Sequence, residues 1–403
     1  MRLLSVFSVL QLQILSGWYV AATTTSSVPA KSVVEYPLPA AAETHDILLV
    51  SDHLLLISQQ TDGGLVKVSL DDNGQPTGAR KYIITNQWSG LHGLTLSWGL
   101  GRSNSSGPTV WATAQFDNVL LHIDPRGDDI NVAPEVINTI PIPPPAFAPH
   151  GILENKGNLW VSCKDSSHVV RINMNDPSDH QIWPVSRGPI FIAVHPTSGD
   201  VFSGLGLSSK IWHYKNDGGS GEEIEVPPEK GSTPVGLVSG PDGNCWVVLL
   251  GNATTGTGTF GRINKDASID WVSMSSALGK TASLMHLAFG QDPSRIWLLG
   301  SSIRCANCAD AVYSVKIDDT TGGTTRPRIV TQNTIMMPTQ RSWNHRVMFH
   351  RGSLYITALK TSTLAHVSGS VVDGLKFSEE WDQFADWGLG LRAEVITYNS
   401  TVY

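Results

Sequence analysis

One short phrase recurs seven times along this chain and limits what it can become. Its clearest copy runs Pro149-His150-Gly151-Ile152, then Gly157-Asn158-Leu159-Trp160-Val161-Ser162, then Val169-Val170-Arg171-Ile172. Taking His150 as the anchor, the equivalents are His45, His92, His150, Ile190, Val235, Met285 and His345, at spacings of 47, 58, 40, 45, 50 and 60 residues. Short β runs repeating every 40–60 residues predict small sheets that cannot bury a face alone and must stack around an axis. The expected fold is all-β, a single seven-bladed β-propeller of four-stranded blades over residues 31–403.

Composition agrees. Only 16% of the 403 residues are charged, against 38 glycines and 13 tryptophans, which suits a turn-rich all-β chain with a large core. The net charge of −7, with no basic run, argues against nucleic-acid binding. An aromatic position recurs on the second strand of each unit: Trp111, Trp160, Phe202, Trp246, Trp297 and Tyr355, with Leu55 in blade one. It predicts blade-to-blade packing. Two segments compete to close the ring, Val33–Pro37 and Glu394–Tyr398. The stretch 378–391, with Trp381 and Trp387, fits the repeat poorly and reads as a capping loop or short helix.

The first 22 residues have the pattern of a signal peptide: Arg2, an apolar run from Leu3 to Leu15, then Val20-Ala21-Ala22. Residues 23–30 are expected to be disordered. The run is short for a membrane span, and no other is longer. Sequons at Asn104, Asn252 and Asn399 fit the secretory route, as does a local disulfide between Cys305 and Cys308. Cys163 and Cys245 fall on strands of different blades and read as buried free thiols.

The anchor opens the innermost strand, near the channel mouth. His45, His92, His150 and His345 therefore form a candidate catalytic rim, because imidazole serves as acid, base or ligand near neutral pH. Ile190, Val235 and Met285, with His286 one place later, form a candidate substrate-binding wall. An apolar wall facing a few polar groups suits a small, apolar, oxygenated molecule. The opposing reading is that each histidine merely bonds backbone at a blade junction. Strand alternation turns Asp46 away from His45. Asp117 and Asp165 suit turns. Three or four imidazoles can also hold a transition ion, but the expectation is catalysis with no cofactor and no metal, in a monomer.

The Pro-His-Gly-Ile … Leu-Trp … Ile-x-Arg-Ile pattern, preceded by Glu35-Tyr36-Pro37-Leu38-Pro39, resembles the streptogramin B lyase (virginiamycin B lyase) family. The resemblance implies a seven-bladed propeller that opens a cyclic lactone by elimination, with a magnesium ion, histidine and glutamate at one end of the channel; His150 matches the family's Pro-His position. The family's second strands end in glutamate. The equivalents here, Ser58, Ala114, Cys163, Leu205, Leu249, Gly300 and Ala358, are not acidic, so a hard cation lacks its oxygen ligands. In length, leader and second strands the chain also resembles propeller proteins of fungal trichothecene clusters. That implies assistance in ring closure or isomerisation of a sesquiterpenoid toxin precursor. The alternatives are a non-catalytic secreted propeller that binds a ligand or host partner in virulence, and a metal-dependent lyase.

Overall fold

The structure, a computed structural model, describes residues 25–28, 33–41, 43–97, 107–318, 326–369 and 371–372. They form seven antiparallel sheets around one axis, each blade laid down from the centre outward. The inner strands are Thr44–Ser51, Leu91–Ser97, Pro149–Asn155, Pro189–Val194, Pro234–Ser239, Leu284–Phe289 and Asn344–His350. Val33–Pro37 is the outermost strand of blade seven, pairing with Thr363–Val367, so the start of the chain closes the ring. Pairing the two ends of the propeller in one sheet leaves no broken blade. The rival closing segment Glu394–Tyr398, the stretch 378–391, the expected leader 1–22 and the sequons Asn104 and Asn399 lie outside the described residues.

One expectation is corrected at the N-terminus. Within 23–30, Thr25–Val28 is a strand rather than disordered chain, running parallel to Gln332–Ile335 on the outer edge of blade six. That edge presents unpaired backbone groups, and a run rich in threonine and serine can satisfy them.

The second strands are buried almost throughout, and their aromatic column packs as expected. The third strands complete it. Trp111 pairs in register with His122 and stacks on it at 4.3 Å, Phe202 stacks on His213 at 4.5 Å, and Tyr355 lies 5.1 Å from His366. These histidines pack on the aromatic column within their own blades. In blade one the column is occupied by Leu56, not Leu55. Leu48, three after the anchor, pairs with Leu56, as Thr95 pairs with Trp111 and Leu153 with Trp160. The same one-residue slip moves the family's glutamate position in blade one from Ser58 to Gln59, which is still not acidic. A leucine run with no aromatic landmark does not set its own register.

Cys305 and Cys308 form a disulfide, while Cys163 and Cys245 are free and buried. Burial raises both thiols, Cys245 to about 12, so neither is a thiolate near neutral pH. Among the described residues no helix is long and apolar enough to cross a membrane.

Candidate functional site

Every inner strand slips register at its anchor, between Thr44 and Ile47, Leu91 and Leu94, Pro149 and Gly151, and likewise in the other four blades. A bulge puts two residues opposite one and re-aims side chains. In blades one, two and three a hydroxyl on the second strand pins the slip. The Asp46 N–H donates to Ser58 Oγ at 3.0 Å, Gly93 to Thr113 Oγ1 at 2.8 Å and Gly151 to Ser162 Oγ at 2.9 Å. The same hydroxyls then donate to the anchor carbonyl of the next blade: Ser58 to His92, Thr113 to His150 at 3.0 Å, and Ser162 to Ile190 at 2.6 Å. Thr357 of blade seven donates to the His45 carbonyl at 2.7 Å. Four anchors, His45, His92, His150 and Ile190, are thus held blade to blade by a repeated backbone clasp.

The bulge overturns the expectation for Asp46. Strict alternation would turn it away from the axis, but with the extra residue absorbed at the anchor, both His45 and Asp46 face inward. The position after the anchor reads Asp46, Gly93, Gly151, Phe191, Gly236, His286 and Arg346 around the ring. The glycines are needed for close approach. A Cβ at Gly93 or Gly151 would lie 2.5 Å from the next blade's anchor carbonyl. The four residues with side chains converge on an axial cavity of about 400 Å³, together with Leu48, Leu94, Ile152, Ile192, Leu237, Met348 and Phe349.

Arg346 dominates this cavity. Its Nε donates to Asp46 Oδ1 at 2.9 Å, and its guanidinium carbon sits 3.8 Å from the Phe191 ring centroid. Asp46 Oδ2 takes the Leu94 N–H at 2.9 Å. Burial lowers Arg346 from its ordinary value and Asp46 pulls it back; guanidinium keeps its charge in this setting. His286 Nδ1 lies 3.2 Å from the Val347 carbonyl and 3.4 Å from the Val347 N; the shorter contact assigns it as donor to the carbonyl, which leaves Nε2 with the lone pair. Burial, then Arg346, hold His286 well below its usual range.

The four predicted rim histidines do come together, as a plug rather than an open rim. His92 lies 3.7 Å from His150 and 4.0 Å from His45, and His45 lies 4.5 Å from His345, between ring centroids. All four are buried and held well below their usual range, chiefly by desolvation. Burial thus favours the neutral form of each ring, which offers a base or ligand nitrogen. Arg346 Nη1 donates to His345 Nδ1 at 3.2 Å, tying the plug to the cavity. The predicted wall is placed differently. Ile190, Val235 and Met285 pack into the core between blades and do not line the cavity. The lining comes from residues one to four places further along the inner strands. Asp117 holds the Asn86 amide at 2.8 Å in an exposed loop, and Asp165 is exposed. Asn252 is exposed on a loop of blade five.

No known sequence family matches this chain, and no curated protein does. Solved structures do. The fold is that of streptogramin B lyase. A streptogramin B lyase structure superposes with a TM-score of 0.61 at 19% identity, covering 83% of this chain and 96% of that one. A catalytically inactive virginiamycin B lyase from Staphylococcus aureus, solved with quinupristin, gives 0.62 at 16% identity over 83% and 98%. YCF48, solved with a bound peptide, gives 0.56 at 16% over 87% and 99%. The lyase-type magnesium does not fit the residues present. The ends of the second strands carry no acid, and Asp46, the carboxylate at the axis, is committed to Arg346 and the Leu94 amide.

Proposed function

We propose that this propeller takes a small, apolar, oxygenated natural product into the axial cavity and promotes closure or isomerisation of an oxygen-containing ring, in secondary metabolism of the trichothecene type. The observation that carries the reading is the cavity itself: an apolar wall facing one fixed guanidinium and one neutral imidazole. A terpenoid would bury its hydrocarbon against Leu48, Ile192, Leu237 and Phe349. Its attacking hydroxyl would give its proton to His286 Nε2. The departing hydroxyl, oriented by an Arg346 N–H, would receive that proton and leave as water. One C–O bond forms and one breaks, with no redox change. Burial and Arg346 disfavour the imidazolium, so His286 relays the proton rather than storing it. Phe191 and Asp46 hold Arg346 in place. The N-terminal apolar run, the exposed Asn252 sequon and the disulfide support a secretory location.

The test is metabolite profiling of a strain lacking the chain, followed by purified protein added to whatever accumulates. An uncyclised intermediate should build up, and wild type should convert it. His286→Gln should lose about 10²–10⁴-fold in rate with its near-UV spectrum intact. An unchanged metabolite profile sinks the reading.

A second reading has its own support. Five large apolar side chains, Trp88, Phe116, Phe147, Leu207 and Leu278, stand exposed on loops at the face where the inner strands begin, with Trp88 71% and Phe116 60% accessible. Clustered exposed aromatics mark contact surfaces, and the similar propeller YCF48 is solved with a peptide bound. This favours a secreted binding propeller that engages a host partner. Trp88→Ser with Phe116→Ser should then abolish partner binding while leaving the metabolite profile untouched.

A further inference from the structure

We infer that His45, His92 and His345 form a binding site for one borderline transition-metal ion, of the class of zinc, cobalt, nickel or copper. Each offers a ring nitrogen, and the three nitrogens lie within 4.8 Å of one another. Two metal–imidazole bonds of about 2.0–2.1 Å at a tetrahedral angle need their nitrogens somewhat closer, so a small inward rotation completes the site. His45 Nδ1 and both nitrogens of His92 are buried with no hydrogen-bond partner. The second strands clasp the backbone of His45 and His92 through Thr357 and Ser58, so these rings start from fixed positions.

Ligand chemistry sets the class of ion. No carboxylate belongs to the cluster, and an imidazole-only set selects borderline divalent ions over magnesium or calcium. His150 packs beside these three, its ring 3.7 Å from that of His92 and its Nδ1 facing the Ile190 carbonyl at 3.3 Å, so the fourth position of a tetrahedral ion would go to water. The nearby Arg346 charge is offset by Asp46 at 2.9 Å. His345 must give something up. Its Nδ1 now accepts from Arg346, so ligation through Nε2 requires that N–H to move to the His345 carbonyl, 3.4 Å away. The ion would tie blades one, two and seven together across the seam of the ring.

This inference does not depend on ring closure, and its test uses no substrate. The full chain, freed of any histidine tag, is dialysed against buffered zinc and its metal content measured, and cobalt(II) is loaded for visible absorption. One zinc per chain is expected, with the d–d bands of a four-coordinate cobalt site and no competition from excess magnesium. His92→Asn and His345→Asn should each weaken binding about 10–100-fold or more. Should those variants fail to fold, the wild-type cobalt spectrum and stoichiometry decide alone. The inference is overturned if none of zinc, cobalt, nickel or copper binds, if magnesium competes equally, or if folded variants bind as wild type does.

Discussion

The two sides of the central channel use one backbone plan and different side chains. Blades seven, one, two and three place His345, His45, His92 and His150 at the anchor, whereas blades four, five and six place Ile190, Val235 and Met285 there. The register slip is common to both sides, whereas the hydroxyl clasp comes from blades seven, one, two and three and reaches Ile190 among the apolar anchors. Ser162 donates to the Ile190 carbonyl as Thr113 donates to that of His150. At that junction an isoleucine accepts the clasp through its backbone carbonyl as a histidine does. Of the anchor imidazoles, His150 also reaches across to the next blade, its Nδ1 3.3 Å from the Ile190 carbonyl. The histidine side chains are spent on a buried polar cluster, and the apolar anchors are spent on core.

The largest test of that contrast is acid. His45, His92, His150, His286 and His345 are depressed in the folded chain below the ordinary value of 6.5. Folding keeps them neutral, so stability is intact above about pH 6.5 and falls as pH drops below it, by about 1.4 kcal/mol per pH unit for each proton taken up on unfolding. Urea titrations between pH 7.5 and 5.5 should show a loss of several kcal/mol. A flat profile would mean these rings are solvated and the imidazole side is an open mouth after all.

The Arg346–Asp46 pair comes next. Arg346→Met strands a buried carboxylate and should cost about 3–5 kcal/mol in chemical denaturation, much of it regained by adding Asp46→Asn. Additive losses in the double variant would show that the pair is not a unit.

Smaller effects compare the two sides directly. Thr113→Val and Ser162→Ala each remove the hydroxyl donor from an anchor carbonyl, at about 1–3 kcal/mol. Near-equal losses in thermal unfolding are expected. A markedly larger loss on the His150 side would return the histidines to the clasp. The smallest effect is expected for His92→Leu in chelator, within about 1 kcal/mol of wild type, because an apolar ring-sized group replaces two orphaned nitrogens. A large destabilisation there would reveal hidden partners.

Much of this was legible in sequence. The anchor period predicted seven blades, and the four anchor histidines do meet. The cavity was not legible. Asp46, Phe191, His286 and Arg346 all sit where the best repeat has glycine, and that departure was the available signal. Alternation applied to an unbroken strand turns Asp46 away from the axis, although His286 at the same position already belongs to the expected wall. Leu55 was assigned to the aromatic column because blade one offers only leucines there, and pairing with Leu48 shows that Leu56 fills it.

The sequence by itself determined the repeat, the buried second strands and the pairing of like positions around an axis, because periodicity and hydrophobic burial act within each unit. Only the tertiary structure decided which side chains face that axis. A bulge is set by hydrogen bonds between strands and between blades, and one extra residue at the anchor turns two consecutive side chains inward where the pattern alone allows one.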